Sequence, residues 1–301
     1  MKIIITDGIE ASGEEILKQA GHHVVITKLS PEELLKEIPN YHAIIVRSAT
    51  KVTKAVIDAG VNLKCIARGG VGLDNIDVKY AKEKGIPVLN TPGASSISVA
   101  ELAIAHMFAL VRFIPQSNMM MREKKWPKKE FSAGVELTGK TLGLIGIGNI
   151  GKEVAKRALG LGMNVIAHDP FISKIDLNVR LTSKDDVLTQ SDFISLHLPF
   201  IKAEGPTLTS NEFAKMKDGV ILINCARGGV VAEKDLLDAL NSGKVSGAGI
   251  DVFENEPPVE EEFMLINHPR VSVTPHIGAS TNEAQNRVGI EIAEKVNAAL
   301  K

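Results

Sequence analysis

The stretch TLGLIGIGNIGKEVAKRALG, residues 141–160, decides how the rest of the chain is read. Thr141–Ile145 is a short apolar run of the kind that forms a buried parallel strand. Gly146, Gly148 and Gly151 follow in the G-x-G-x-x-G register, and Val154, Ala155, Ala158 and Leu159 then recur at helical spacing. In such a strand–turn–helix the first glycine permits the tight turn. The second lets a pyrophosphate approach the backbone, and the third lets the helix pack on the strand. The helix N-terminus favours an anion through its unpaired N–H groups and its dipole. The fingerprint carries little weight alone, so its surroundings matter. The next strand, 164–167, runs into His168-Asp169-Pro170, and Asp169 stands 23 residues beyond Gly146 (169 − 146), where this unit needs an acid for the ribose hydroxyls. No arginine follows to receive a 2′-phosphate, so the pattern predicts NAD in preference to NADP.

The bulk numbers agree with this reading. A chain of 301 residues, 44% hydrophobic and 24% charged, suggests a soluble protein of two ordinary domains. A formal net charge of −1 gives no global field to attract nucleic acid or a membrane surface, so neither is expected as a partner. Two cysteines, Cys65 and Cys225, cannot make a disulfide framework or a zinc site, and no metal is expected. The N-terminal MKIIITDG reads as a strand rather than a signal peptide, and no apolar run reaches membrane-spanning length. A cytoplasmic location is the expectation.

Strand and helix alternate along the chain, which predicts parallel sheets with right-handed crossovers. In the first part the expected strands are 3–5, 23–26, 43–46, 64–67 and 87–89, with helices over 10–19, 31–38 and 76–84. A long helical pattern runs from Ser95 to Phe113, followed by the basic segment REKKWPKKE at 122–130. Beyond the fingerprint, strands are expected at 193–198, 220–224, 246–252 and 271–274. Helices are expected at 211–215, capped by Ser210, and at 234–240. Residues 278–301 read as one closing helix with Ile290, Ile292, Ala293 and Val296 on its apolar side. The fold class predicted is α/β, with two doubly wound parallel-sheet domains.

Ligands of doubly wound sheets sit beyond the carboxyl ends of the strands. Three polar residues follow strands in the second half: Arg227 in NCARGG, Glu256 in DVFENEPP and His276 in TPHIGAS. Hydride exchange between a nicotinamide and a hydroxy acid needs such a trio. An imidazole takes the hydroxyl proton. A carboxylate fixes its tautomer and stabilises the cation that forms. A guanidinium holds the substrate carboxylate by its fork. One such residue has an ordinary structural explanation; three at strand ends of one domain point to chemistry.

Taken in order, the motifs GxGxxG, NCARGG, GIDVFENEP and TPHIGAST resemble the D-2-hydroxyacid dehydrogenase family over nearly the whole chain. RSATKVT at 47–53, RGGVGLDNID at 68–77 and NTPGASSISVAELAIAHMFALVR at 90–112 are most similar to the branch that oxidises D-3-phosphoglycerate at the opening of serine biosynthesis. A glyoxylate or hydroxypyruvate reductase, or another D-2-hydroxyacid dehydrogenase, is the alternative. The resemblance implies Arg227, Glu256 and His276 as the catalytic residues. It implies Arg47, Ser48, Gly70, Val71 and Gly72 at the substrate, together with Arg227 and His276. On the cofactor side it implies Asn149 and Ile150 beside the three glycines at the pyrophosphate, Asp169 at the ribose, and Leu198 and Pro199 along the adenosine. Cys225, Ala226, Asp251 and Gly278, with Arg227 and His276, fall near the nicotinamide, Asp251 accepting from its carboxamide.

The architecture implied is a flavodoxin-like substrate domain of residues 1–94 plus 278–301 and a Rossmann NAD-binding domain of residues 95–277. A homodimer would form through the latter, with the long helix and the Trp126 loop contributing. Some positions depart from the pattern. His168 stands where many relatives carry an aromatic residue, and FIKAEGPTLTS at 200–210 replaces a threonine-rich segment. The acid at Glu256, rather than an amide, separates the chain from formate dehydrogenases. The chain stops after its closing helix where many relatives continue into a regulatory domain, so inhibition by serine is not expected.

Overall fold

Every side chain of Ile3-Ile4-Ile5 is buried, which a strand allows only when both faces of its sheet are covered. In the computed structural model, which describes residues 1–301, this strand is β1 (Lys2–Ile5). It pairs in parallel with β2 (His23–Ile26) and β3 (Ala43–Val46), and the sheet continues through β4 (Cys65–Arg68) to β5 (Val88–Leu89). The order β2-β1-β3-β4-β5 is that of a flavodoxin-like sheet. Successive side chains point to opposite faces. Ile4, Ile44 and Ile66 therefore meet Leu34, Val56 and Ile57 on one side. Ile3, Ile5 and Ile45 meet Leu17, Ile292 and Val296 on the other.

These elements make one of two compact units, Met1–Ser96 with Ala279–Lys301; the other is Ile97–Gly278. The closing helix, Asn282–Ala299, completes the first unit. It starts later than its apolar pattern suggests because Thr281 caps it, accepting from Ala284 N–H at 3.2 Å. It buries Val288, Ile292 and Val296, while Ile290 is only half-buried. It crosses helix Ala11–Gln19 closely: a Cβ on Gly13 would lie 2.4 Å from the carbonyl oxygen of Gly289. Helix Lys54–Ala59 also belongs to this unit, and its short apolar pattern does not announce it.

The second unit is built on β6 (Thr141–Ile145), β7 (Asn164–His168), β8 (Arg180–Leu181), β9 (Phe193–Leu196), β10 (Val220–Asn224), β11 (Val245–Ile250) and β12 (Val271–Val273). All pairs are parallel, in the order β12-β11-β10-β9-β6-β7-β8. The order reverses between β6 and β9, the switch point at which a Rossmann sheet binds its dinucleotide. Strand β8 and helix Lys184–Gln190 have no counterpart in the sequence reading. The long helical pattern breaks where Phe113 takes φ 54°, into Ser96–Val111 and Ile114–Arg122. Pro115 explains the break, since it lacks an N–H and its ring clashes with a preceding helical turn. The cap expected at Ser210 is Thr209, whose N–H and Oγ1 both donate to Glu212 Oε2, at 3.0 and 2.7 Å. No single helix is long and apolar enough to cross a membrane.

The close helix crossing gives a test. Alanine is favoured over glycine in a helix by about 1 kcal/mol, yet Gly13→Ala should lower stability by about 1–3 kcal/mol, because the methyl overpacks against backbone. Urea unfolding should show a lower midpoint with an unchanged slope. A variant as stable as the parent would mean that the helices do not approach this closely.

Candidate active site

The glycine turn lies at the carboxyl end of β6. Gly146 takes φ +92°, and a Cβ there would sit 2.2 Å from the carbonyl oxygen of His197, which follows β9. Both facts require glycine. A Cβ on Gly151 would lie 2.4 Å from Gly146 O, so the third glycine lets helix Asn149–Gly160 start against the turn. Gly148 is the N-cap of that helix, and a Cβ there would meet no atom within 4 Å. The helix N-terminus therefore opens onto space, a cradle that a side chain at 148 would fill and a pyrophosphate fits. Burial pushes the His197 imidazole behind the turn down to about 3, so that ring stays neutral.

Asp169, at the end of β7, accepts from Ile147 N–H through Oδ2 and from Phe171 N–H through Oδ1, each at 2.9 Å. Its carboxylate is thereby fastened to the glycine turn, and each oxygen keeps a second acceptor position for a ribose hydroxyl. Leu198 is half-buried and Pro199 exposed, directly after His197. Glycine cradle, helix N-terminus and oriented acid together fit a dinucleotide.

At the end of β10, Asn224 shapes the turn that carries Arg227. Its Oδ1 accepts from Ala226 N–H at 3.1 Å and its Nδ2 donates to Arg227 O at 3.2 Å. The Arg227 guanidinium donates to Ala226 O at 2.7 Å. Burial, and after it the charge of Asp251, pushes the Cys225 thiol up. Cys225 is thus an inert wall rather than a nucleophile.

At the ends of β11 and β12 the remaining two residues of the trio meet. His276 Nδ1 and Glu256 Oε2 are 2.6 Å apart. A carboxylate only accepts, so Nδ1 carries the proton and Nε2 of the neutral ring is left as a base. Burial raises the Glu256 carboxyl. The His276 contact, the Phe253 N–H and the charge of Arg227 outweigh it and hold the group below its ordinary value. The three residues predicted from strand ends are therefore brought together at three adjacent strands.

His276 has φ 53°, a left-handed conformation unusual for a residue with a Cβ. Its N–H donates to Asp251 O at 2.8 Å and Thr274 O at 3.1 Å. The Asp251 carboxylate, 1% exposed, accepts from Thr274 Oγ1 at 2.6 Å and from the N–H groups of Ile277 and Gly278, both at 2.8 Å. Asp251, placed by resemblance at the nicotinamide, thus spends most of its acceptor capacity within the chain, as does Gly278 its N–H.

In the first unit, Asp7 accepts from Arg47 N–H at 2.7 Å, from Thr50 N–H at 3.0 Å and from Thr50 Oγ1 at 2.6 Å. The Arg47 carbonyl accepts from Arg68 Nε at 3.1 Å and from Asn75 Nδ2 at 2.8 Å. Arg68 also donates to Gly72 O, and Asn90 Nδ2 to Val71 O at 2.6 Å, which fixes the 70–72 loop. The backbone of Arg47 is held at both ends while its guanidinium has no acid or carbonyl partner. Ser48 beside it is exposed. Asp7, Asn224 and Thr274 escape the sequence reading. Asp7 and Asn224 had one available signal, a polar residue at the end of an apolar strand.

Comparisons with known proteins place these motifs in company. Residues 104–278 match the family described as D-isomer specific 2-hydroxyacid dehydrogenase, NAD binding domain. The chain is 51% identical over 297 residues to a hydroxypyruvate reductase of Thermotoga maritima, covering 98% of this chain and 97% of that one. It is 47% identical over 300 residues to a D-3-phosphoglycerate dehydrogenase of Archaeoglobus fulgidus, covering 98% of this chain but 56% of that protein, so it spans little more than half of this relative. Among solved structures, a glyoxylate reductase from Paecilomyes thermophila superposes with a TM-score of 0.91 at 33% identity, covering 100% of this chain and 95% of that one. A D-lactate dehydrogenase from Aquifex aeolicus, complexed with NAD and lactic acid, gives 0.87 at 30%, with the same coverage.

The oriented acid predicts a binding preference. NADPH should bind less tightly than NADH by roughly 2–4 kcal/mol, because Asp169 loses the 2′-hydroxyl as a donor and faces a phosphate in its place. Asp169→Ala should remove most of that gap, chiefly by weakening NADH. Fluorescence titration of both dinucleotides measures this, and equal affinities in the parent would remove Asp169 from the ribose.

Proposed function

The chain belongs to the D-isomer specific 2-hydroxyacid dehydrogenase family, and on that premise we propose that its substrate pair is D-3-phosphoglycerate and 3-phosphohydroxypyruvate. The class of reaction is NAD-dependent hydride exchange with a D-2-hydroxy acid. The observation that carries the choice of substrate is Arg47, a guanidinium on a braced backbone with no partner in its own chain. A cation left unpaired in this way suits a phosphate, and the exposed Lys51 adds charge four residues on. The phosphoglycerate dehydrogenase relatives support the same reading. The reductase reading is supported by the hydroxypyruvate reductase relative, of which the match covers 97%.

The proposed steps follow from the geometry. Bound NAD supplies the hydride acceptor at its nicotinamide. Arg227 binds the substrate carboxylate and polarises the C2 oxygen. His276 Nε2 takes the hydroxyl proton as hydride leaves C2, giving the 2-oxo acid. The imidazolium so formed keeps its Nδ1–H on Glu256, whose negative charge stabilises it. In the reducing direction the same Nε2 returns the proton to the forming alkoxide. The exposed Ile114, Met119, Met121 and Trp126 support pairing of two copies through the second unit; a monomer in sedimentation at working concentration would count against it.

His276→Asn should lower kcat by about 10²–10⁴ while NADH binding is nearly kept. Because the Glu256 carboxyl is depressed in the folded chain, its contribution to stability is full above its ordinary value of 4.5. That contribution is lost as pH falls through the lower folded value. Glu256→Gln should remove this segment of the acid-unfolding curve and also change the pH–rate profile; profiles identical to the parent's would take Glu256 out of its role.

For the substrate, each charge-assisted contact to the phosphate is worth about 1.5–3 kcal/mol. Phosphohydroxypyruvate should therefore exceed hydroxypyruvate by at least ~100-fold in kcat/KM if two such contacts form. Arg47→Ala should narrow the gap by harming the phosphorylated substrate. Comparable values in the parent, read by NADH absorbance, would move the assignment to hydroxypyruvate reduction.

A further inference from the structure

His106 touches none of the residues assigned to proton or hydride transfer, yet it is a histidine buried to 3% exposure on the long helix Ser96–Val111. Its Nδ1 lies 2.9 Å from Ser272 Oγ and its Nε2 3.1 Å from Thr274 Oγ1. Space for the ring is built into the sheet, since a Cβ on Gly249 of β11 would fall 2.6 Å from the His106 Cβ. An apolar side chain would fill that space without the cost of burying two ring nitrogens.

The hydrogen bonds have a single consistent direction. Thr274 has one hydroxyl proton, and it goes to Asp251 Oδ1 at 2.6 Å. Thr274 must therefore accept from His106, so Nε2 carries the ring proton. Nδ1 is then unprotonated and accepts from the Ser272 hydroxyl. Burial pushes the imidazole down, against the pull of Asp251, which keeps the ring in this neutral form.

We propose that His106 is a positioning residue for His276, acting through Thr274 and Asp251. The His106 N–H fixes the rotamer of Thr274, and Thr274 fixes which face of Asp251 Oδ1 is occupied. The same carboxylate then receives the N–H groups of Ile277 and Gly278, on the far side of His276. His276 sits between these anchors at φ 53°, against its own backbone preference. Without the His106 link the turn has one fewer constraint, and a misplacement of about 1 Å at a reacting group costs on the order of 100-fold in rate.

This inference rests on His276 being the proton-transfer group, and the experiment separates the two. Single-turnover oxidation of NADH is followed with enzyme in excess over whichever of phosphohydroxypyruvate or hydroxypyruvate the parent reduces. The rate constant reports the geometry of the reacting groups, whereas the amplitude reports the fraction of folded enzyme. His106→Leu should lower the rate constant by about 10- to 100-fold at full amplitude, with NADH affinity changed by less than about threefold. His106→Gln, whose amide N–H reaches Thr274, should recover a large part of the loss. Thr274→Val should reproduce the loss, and the His106→Leu, Thr274→Val double variant should add little to either. A parent-like rate constant in His106→Leu, or a loss confined to amplitude, overturns the proposal, as does full additivity in the double variant. If His106→Leu does not fold, the Thr274→Val and His106→Gln rate constants decide alone, and parent-like values for Thr274→Val overturn it. A parent-like rate constant in His276→Asn would instead overturn the assignment of the base.

Discussion

The turn that carries His276 is wound onto one buried carboxylate. Asp251 accepts through its side chain from Thr274, Ile277 and Gly278, and through its carbonyl from His276 itself. Its own N–H donates to the carbonyl of Asn224 at 3.0 Å, the residue whose amide shapes the Arg227 turn. A single residue at the end of β11 thus sets the spacing between the loops that follow β10 and β12. A carboxylate this buried is tolerable because both of its oxygens are hydrogen-bonded, and loss of any one partner leaves an under-satisfied buried charge. That dependence is why the base, its carboxylate and the guanidinium arrive at three neighbouring strand ends as one arrangement.

Around this anchor the two parts of the site differ in character. The dinucleotide side is made of backbone: an open helix N-terminus and two glycines whose neighbours leave no room for a side chain. The acid–base side is made of side chains that hold one another, with Glu256 kept ionised by the histidine and arginine around it. Backbone cradles tolerate little change in sequence, since a single Cβ closes them. Side-chain networks allow substitution only where a partner of like geometry can take over the same bond.

Much of this was legible in the chain, and the reason is physical. Strand–helix alternation and buried isoleucine runs dictate parallel sheets, whereas the two strand orders were expected only through the family resemblance. The trio was legible because each residue stands within six positions of the end of an apolar strand. Short elements were not: β8 has two residues and helix Lys54–Ala59 six, too few for a period to establish itself. The break at Phe113 was legible in Pro115, but apolar residues on both sides masked it. His106 sits on the apolar stripe of a long helix, and sequence alone does not distinguish a histidine that packs from one that bonds two hydroxyls across the sheet. Asp251 was assigned by resemblance to a ligand, whereas its partners within the chain come from a turn 23 to 27 residues further on.

The crossing of helices Ala11–Gln19 and Asn282–Ala299 has a consequence for how the protein is made. The first unit is interrupted by the whole of the second, and one face of its sheet has only helix Ala11–Gln19 as cover until Ile292, Ala293 and Val296 arrive. During synthesis the nascent chain therefore leaves Ile3, Ile5 and Ile45 only partly covered while 182 residues (97 to 278) pass the ribosome and fold. The later segment has its sheet and both covering layers in one contiguous stretch, so it can close before the earlier one does. Vectorial synthesis thus inverts the order of the sequence, and the first strand to emerge is among the last to be sealed.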